Sequence, residues 1–419
     1  LFFKFKNSAP EAESPGQQAW KRFKRNKPAM FGLFIISMAC LIAVLGYLIT
    51  PDQTPYANDQ KPELHIMEPG FTVKLLHVAR NEEKQPSGVF KTMLFGRNNS
   101  FATYPIFDYT FSGADIVVEE YTGNTPNNGS KSNFNIADVV YAIDSKHPVQ
   151  YDSVKKTLSF YEINNPTPVI KTVEDLREVI EHENIRKKTF LLGTDLLGRD
   201  LLSRLLIGTR ISLTVGLISV FISILIGVFL GSLAGYFRGK TDAVIMWLIN
   251  VVWSIPTLLL VIAITLVLGR GITQVFIAVG LTMWVEAARI VRGQILSLRE
   301  KEFVEAGRAL GFKNSRIIFR HILPNVMGPV IVVAASNFAS AILTEAGLSF
   351  LGIGAQPPVP SWGEMTNAHH GYILMDKAYL AFIPGIAIMV LVLSFMLVGN
   401  GLRDAMDSRG SDNKPIVNV

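Results

Sequence analysis

The stretch ISLTVGLISVFISILIGVFLGSLAGYF, residues 211–237, runs for 27 residues without a charged side chain. About 20 mostly apolar residues suffice for a helix to cross a bilayer. Five more stretches of this kind flank it, at 31–49, 243–269, 271–289, 326–353 and 378–402. In chain order, Glu286 and Arg289 close the fourth of the six and Glu345 falls inside the fifth. A buried helix of a soluble domain can imitate one span, but six such runs could hardly share one soluble core. The sequence therefore predicts an all-α polytopic membrane protein with six transmembrane helices. Pro256 and Pro384 are expected to kink the third and the sixth.

The basic residues orient these spans. Lys21, Arg22, Lys24, Arg25 and Lys27 precede the first, and Arg238 and Lys240 separate the second from the third. Arg289, Arg292, Arg299, Lys301, Arg308, Lys313, Arg316 and Arg320 lie between the fourth and fifth, and Arg403 follows the sixth. With six spans all four groups fall on one side, and Lys and Arg enrichment marks that side as cytoplasmic. Both termini are then inside, as tails at 1–30 and 408–419, and 52–188 is outside. This outer region mixes β-like runs at 71–79, 115–121, 138–143 and 157–163 with turn-forming sequence. Thr172 followed by Asp175 opens a helix running to about residue 184. The region reads as an inserted extracytoplasmic α+β domain. Just before the second span, Arg199, Asp200 and Arg204 alternate with leucines and read as an external interfacial helix.

Composition agrees with a membrane chain. Of the 419 residues 49% are hydrophobic and only 18% charged, with a mean hydropathy of +0.31. Soluble domains carry about 25% charge. Disorder as the main character is excluded, and Cys40, the single cysteine, excludes a disulfide scaffold. The net charge of +6 sits beside apolar runs, so no nucleic-acid partner is expected. The phosphate-binding pattern Gly-x-x-x-x-Gly-Lys-Ser/Thr is missing, as are His-Glu-x-x-His, paired cysteines and Gly-x-Ser-x-Gly. No catalytic or metal-ligating residue is assigned, and the chain is not expected to be an enzyme. His369 and His370 are adjacent and cannot share a helix face, so they read as exposed loop histidines.

Polar groups inside the spans leave two readings open. Glu345 either lines a pathway, together with Asn337 and Ser340 a turn or two away, or is a structural carboxylate bonded to a neighbouring helix or to Ser349. Gly227, Gly231 and Gly235 recur every fourth residue, which permits close helix contact or reflects how common glycine is in membrane helices.

The basic segment 290–325 is helical in pattern. Residues 302–310 are good helix formers, with Phe303, Ala306 and Leu310 at helix spacing. Gly311 can end that helix, a second starts near Asn314, and Pro324 marks the start of the fifth span. On these grounds alone it is a surface amphipathic helix or an ordinary solvated loop.

EAGRALGFKNSRIIFRHILPN, residues 305–325, resembles the cytoplasmic loop signature of the permease subunits of ABC importers. Glu305, Ala306, Gly311, Leu323 and Pro324 match in register. Gly307 stands where a second alanine is usual, and His321 where isoleucine is. Further blocks at 19–33, 193–213, 289–311, 345–365 and 399–407 narrow the resemblance to the C-type subunit of dipeptide and oligopeptide permeases. It covers 19–51 and 189–407. Family members usually have a much shorter first outer loop, so 52–188 is a departure.

The resemblance implies a type I ABC importer permease fold in the bacterial inner membrane, with a permease core at 189–407. In its loop 290–325, Glu305, Ala306, Gly307, Gly311, Leu323 and Pro324 would couple to an ATPase. Implied partners are a homologous second permease, two cytoplasmic ATPase subunits, an extracytoplasmic substrate-binding protein and lipid. ATP and Mg would sit on the ATPase partners, and no cofactor on this chain. The implied substrates are di- or oligopeptides, although related permeases take nickel or another small solute. A membrane receptor would need a signalling domain, which the residues after Asp407 are not expected to form. A membrane enzyme would need a catalytic constellation in 52–188, where the acids form no arrangement above chance.

Overall fold

The computed structural model of the chain describes residues 15–83, 88–123, 125–163, 165–269 and 271–407. The expected tail at 408–419 and the first 14 residues of the other lie outside them. The chain opens with α1 (Pro15–Arg25) and α2 (Lys27–Ile49), separated by Asn26, whose side chain accepts from Ala29 N at 3.1 Å and caps α2.

The insertion follows as β1 (Phe71–Ala79), α3 (Val89–Phe95), β2 (Phe101–Ser112), β3 (Asp115–Glu120), β4 (Lys131–Asn135), α4 (Ile136–Val140), β5 (Gln150–Asp152), β6 (Thr157–Tyr161), β7 (Pro168–Thr172), α5 (Val173–Val179) and β8 (Ile185–Phe190). An antiparallel sheet in the order β4-β3-β2-β1-β8 stands beside a smaller one, β5-β6-β7. One face of the larger sheet packs Leu76, Ile106 and Ile116 against Phe160 and Leu176, which makes the core. The α+β reading of this region holds. Its expected strand at 138–143 does not: the Asn135 side chain accepts from Ala137 N at 3.0 Å and starts α4, burying Ile136, Ala137 and Val139. Capping there outweighs the β-like composition. The first and last strands of the insertion are neighbours, with Phe71 opposite Phe190, so the chain leaves and returns at one place.

The membrane part comprises α6 (Leu201–Phe237), α7 (Gly239–Trp253), α8 (Thr257–Leu268), α9 (Ile272–Leu298), α10 (Glu302–Ala309), α11 (Asn314–Arg316), α12 (Leu323–Phe350), α13 (Trp362–His369) and α14 (Tyr379–Met406). Among the described residues five helices are long and apolar enough to span: α2, α6, α9, α12 with the turns ahead of it, and α14. The third expected span is broken rather than kinked. Its halves, α7 and α8, meet at 92°, and Pro256 at the break has no N–H to continue a helix. By contrast α14 runs through Pro384 as one helix.

Glycines fix how α6 and α9 meet. A Cβ on Gly227 would lie 2.5 Å from Ala287 Cβ, one on Gly231 2.5 Å from the Ala288 carbonyl, and one on Gly235 2.9 Å from Ile295 Cβ. Partner numbers rise together, so the two helices run parallel. The α7–α8 segment must then return the chain across the layer between them, which makes six crossings.

The 37 residues of α6 extend about 55 Å at 1.5 Å per residue, well beyond a core of about 30 Å. Its first turns therefore project past the apolar layer toward the insertion. This corrects the expectation of a separate interfacial helix. Arg199 and Asp200 precede α6, Arg204 sits in its first turn, and all three are buried, Arg204 at 1% exposure. They face protein partners instead of a lipid surface.

Candidate functional site

At one end of the bundle the basic segment forms a hinged unit. α10 ends at Ala309, and Gly311 takes φ +75°, which turns the chain so that Phe312 N donates to the Gly307 carbonyl at 3.1 Å. α11 follows, then a wide π-type turn at Ile317–Ile322 that feeds into α12, with Pro324 in its first turn. Such turns are rare and cluster at functional places. Val304 and Gly307 pack inward: Val304 joins Val291, Ile295, Ile317 and Ile322 in one cluster, and Leu323 packs against it. Phe303, Ala306 and Leu310 point outward, Leu310 at 71% exposure, and Glu305 is exposed too. The helix is thus amphipathic, with an apolar strip that nothing in this chain covers among the described residues.

Tyr236, at the end of α6, holds this unit in place, and the sequence reading missed it. Its hydroxyl donates to Asn314 Oδ1 at 2.8 Å, and its carbonyl accepts from Arg299 Nη1 at 2.6 Å. The Arg308 guanidinium lies 5.6 Å from its ring centre. One aromatic residue therefore touches the end of α9, α10 and α11, which ties them to the end of a span. The only signal in the sequence is an aromatic pair just ahead of Arg238.

A second cluster lies at the other end, under the insertion. Asp195 accepts from Arg199 Nε at 2.7 Å and lies 3.5 Å from Arg204 Nε. Arg204 Nη2 reaches Glu364 of α13 at 3.3 Å. Arg199 Nη1 donates to Asn58 at 3.0 Å, and the Ser203 hydroxyl donates to Asp200 while accepting from Asp52 N at 3.0 Å. Burial pushes the Asp200 carboxyl above the usual carboxylate range, against the Ser203 bond. Burial does the same to Glu364, opposed by Arg204 and Arg199. Trp362 Nε1 donates to the Leu205 carbonyl at 2.9 Å. These contacts tie α6, α13 and the segment after α2 together. His369, expected in an exposed loop, is buried at the end of α13, where its Nδ1 bonds the Met365 carbonyl at 2.6 Å; His370 is exposed. Burial holds the His369 imidazole below its ordinary range.

The three polar residues singled out in the fifth span do not share a face. Glu345 is buried, and its Oε1 accepts from Ser349 at 2.7 Å and from Ser361 at 2.6 Å, which links α12 to the start of α13. Asn337 is buried as well and donates to Ser223 at 3.1 Å, between α12 and α6. Ser340 lies on the exposed side of α12, with Ser336 one turn before it.

Residues 227–411 match the family described as the binding-protein-dependent transport system inner membrane component. Residues 14–64 match the N-terminal TM domain of oligopeptide transport permease C. The glutathione transport system permease protein GsiD of Pectobacterium atrosepticum is 43% identical over 218 residues, which are 52% of this chain and 72% of that protein. The chain belongs to the oligopeptide and dipeptide permease family of ABC importers. Two more relatives of this permease are the dipeptide transport system permease protein DppC of Alkalihalophilus pseudofirmus and the oligopeptide transport system permease protein OppC of Bacillus subtilis. The first is 42% identical over 217 residues, 52% of this chain and 71% of the relative. The second is 42% identical over 223 residues, 53% of this chain and 72% of the relative. Neither family match reaches into 65–226, so the permease carries most of its insertion outside both.

Proposed function

We propose that this chain is the membrane-spanning permease subunit of an ATP-driven importer for di- or oligopeptides. It would form half of a translocation pathway with a homologous second permease, and couple that pathway to two separate ATPase subunits. The carrying observation is α10, whose inner side is anchored by Val304 and Gly307 while Phe303, Ala306 and Leu310 stand free. An apolar strip beside an exposed carboxylate, Glu305, suits a groove on a cytoplasmic partner. Motion of that partner would pass through the Tyr236 contacts into α6 and α9. The names of the relatives, which refer to glutathione, dipeptides and oligopeptides, support a peptide substrate.

In this reading the termini and α10 are cytoplasmic, supported by the Lys and Arg of the flanking segments. The insertion lies outside, where a binding protein delivers substrate, and it docks that protein or caps the mouth. Ser336 and Ser340, on the open side of α12, are the better pathway candidates, whereas Glu345 and Asn337 hold helices together. The test is Glu305→Lys. Co-purification with the ATPase subunits and dipeptide uptake should both fall by about tenfold or more, as when a desolvated charge at an interface is reversed. Normal association and uptake would refute α10 as the coupling element.

A further inference from the structure

The larger sheet of the insertion has its core on one face, and a cavity of about 730 Å³ opens along its edge strand β8 and the end of β1. The cavity lies where the two tethers of the insertion meet. Pro51 and Asp52, just past α2, line one side, and β1 and β8 the other. In register, Arg186 stands opposite Leu75 and Lys188 opposite Val73. Arg186 and Lys188 thus lie two residues apart on one strand, on one face, and both line the cavity. Arg97 and Lys61 reach it from the connecting segments.

Like charges crowded on one side of a sheet are unfavourable unless something answers them. The acids nearby hold bonds of their own, and Asp200, Asp52 and Asp59 answer part of the Lys188 charge from a distance. Asp52 accepts from Thr54 N at 2.9 Å, from Thr54 Oγ1 at 2.7 Å and from Asp59 N at 3.1 Å. Asp59 is paired with Lys61. Among the described residues the Lys188 ammonium has no hydrogen-bond or ion-pair partner and lies 4.8 Å from the Phe190 ring centre. Arg186 commits only its Nε, to the Glu183 carbonyl at 2.9 Å. The guanidinium of Arg97 has no partner among the described residues, and Glu183 is the one lining acid outside these bonds. Burial holds the Lys188 amine below its ordinary range, and burial with Arg186 and Lys61 does the same to His77. His77 therefore stays neutral near pH 7 and adds no repulsion. Arg97, Arg186 and Lys188, with Lys187 also in the lining, bring open donors to a space of small-ligand size.

We propose that this cavity binds a small oxyanion, a carboxylate or a phosphate, through Arg186, Lys188 and Arg97. Guanidinium and ammonium donors both suit such oxygens. The inference is independent of the transported substrate. It is tested on the full chain in lipid nanodiscs by calorimetry with succinate, inorganic phosphate and neutral succinamide. Saturable binding of succinate or of phosphate is expected, with none for succinamide, and the stronger of the two anions identifies the group. Arg186→Gln and Lys188→Gln should each weaken that binding about tenfold, the typical loss of one charge-assisted bond. Lys188→Arg should retain it and shows that the fold survives change at this position. Lys155→Gln removes the same charge from an exposed position outside the cavity and should change nothing. No saturable binding of either anion, equal loss in Lys155→Gln, or unchanged binding in both cavity variants would overturn the proposal.

Discussion

At the scale of single residues, two glycines in and after α10 separate by backbone angle. A Cβ on Gly307 would meet Phe312 at 3.6 Å and Ile317 at 3.7 Å, ordinary contact distances. Gly307→Ala should therefore stabilise α10 by about 1 kcal/mol, the helix-propensity difference. Gly311 has open space around it but a φ of +75°. Gly311→Val should cost about 1–2 kcal/mol in backbone strain alone. Thermal melting of the purified permease and limited proteolysis at the turn would measure both; destabilisation by Gly307→Ala would contradict the first. The role of Gly311 was legible in the sequence, because a chain reversal after a helix calls for it. That Gly307 has room for a methyl was not, since Phe312 and Ile317 reach it only after the chain turns back. Tyr236 escaped for the same reason, as its partners lie at 299, 308 and 314.

Glu345 marks a similar limit. Its position in an apolar run was plain, but Ser361, its second partner, lies 16 residues on and beyond the end of the helix. Glu345→Gln keeps an acceptor oxygen for both serines and should leave transport near wild type. Glu345→Ala orphans buried hydroxyls and should cost about 1–3 kcal/mol for each one left unpaired. Abolished transport in a well-folded Glu345→Gln variant would return this carboxylate to the pathway.

At the scale of elements, the α6–α9 contact depends on small residues. A Cβ on Gly231 would lie 2.5 Å from a backbone oxygen and 2.9 Å from Val291 Cβ, so the two helices must separate to admit a side chain. Gly231→Leu should destabilise the pair by about 1–3 kcal/mol or more, as overpacking does. Gly293→Leu, on α9 with nothing within 4 Å of its Cβ, serves as the matched control. Comparable membrane yield and melting for both variants would contradict the close contact. The spans themselves were legible, because their length and lack of charge leave few alternatives. The 92° break was not: Pro256 announces an interruption but no angle. The false strand at 138–143 shows a local pattern losing to a cap three residues before it.

At the scale of the whole molecule, the insertion is bound to the helical part by its flanks and by α3, whose Met93 and Leu94 carbonyls accept from Arg210 of α6 at 3.3 and 2.8 Å, more than by its sheets. Lys61 N donates to the Leu197 carbonyl at 3.0 Å, Ile66 N to Asp195 at 3.2 Å, and Thr194 Oγ1 to Leu64 at 2.5 Å. Lys377 Nζ bonds Glu68 at 2.6 Å and holds its carboxyl below the usual range. Because Phe71 and Phe190 are already neighbours, replacing 72–189 by a short Gly-Ser bridge keeps these flank bonds and gives up those of α3 to Arg210. Removing 59–187 discards Lys61, Leu64, Ile66 and Glu68. The first deletion should reach the membrane and assemble with wild-type yield, yet lose binding-protein-stimulated uptake. The second should also lose assembly. Wild-type uptake after the first deletion would leave the sheets without a docking or capping role. The sequence made the insertion recognisable as a separate region with α+β content. Its anchoring on 195–199 was hidden, since only Arg199 drew notice there, as the beginning of a surface helix.

The neighbouring placement of β1 and β8 also sets an order of assembly. β1 is complete about 110 residues before its edge partner exists. At about 5–20 residues per second of synthesis, the interval is about 5–22 s. During it β1 can pair only with β2, leaving its other edge bare, and a bare edge invites foreign strands. β8 arrives directly ahead of α6, so the sheet is finished at the moment the second membrane helix begins to form. A stall in translation or translocation between these two events would leave an open-edged domain tethered by one helix, which is the stage at which a quality-control protease would find this chain easiest to cut.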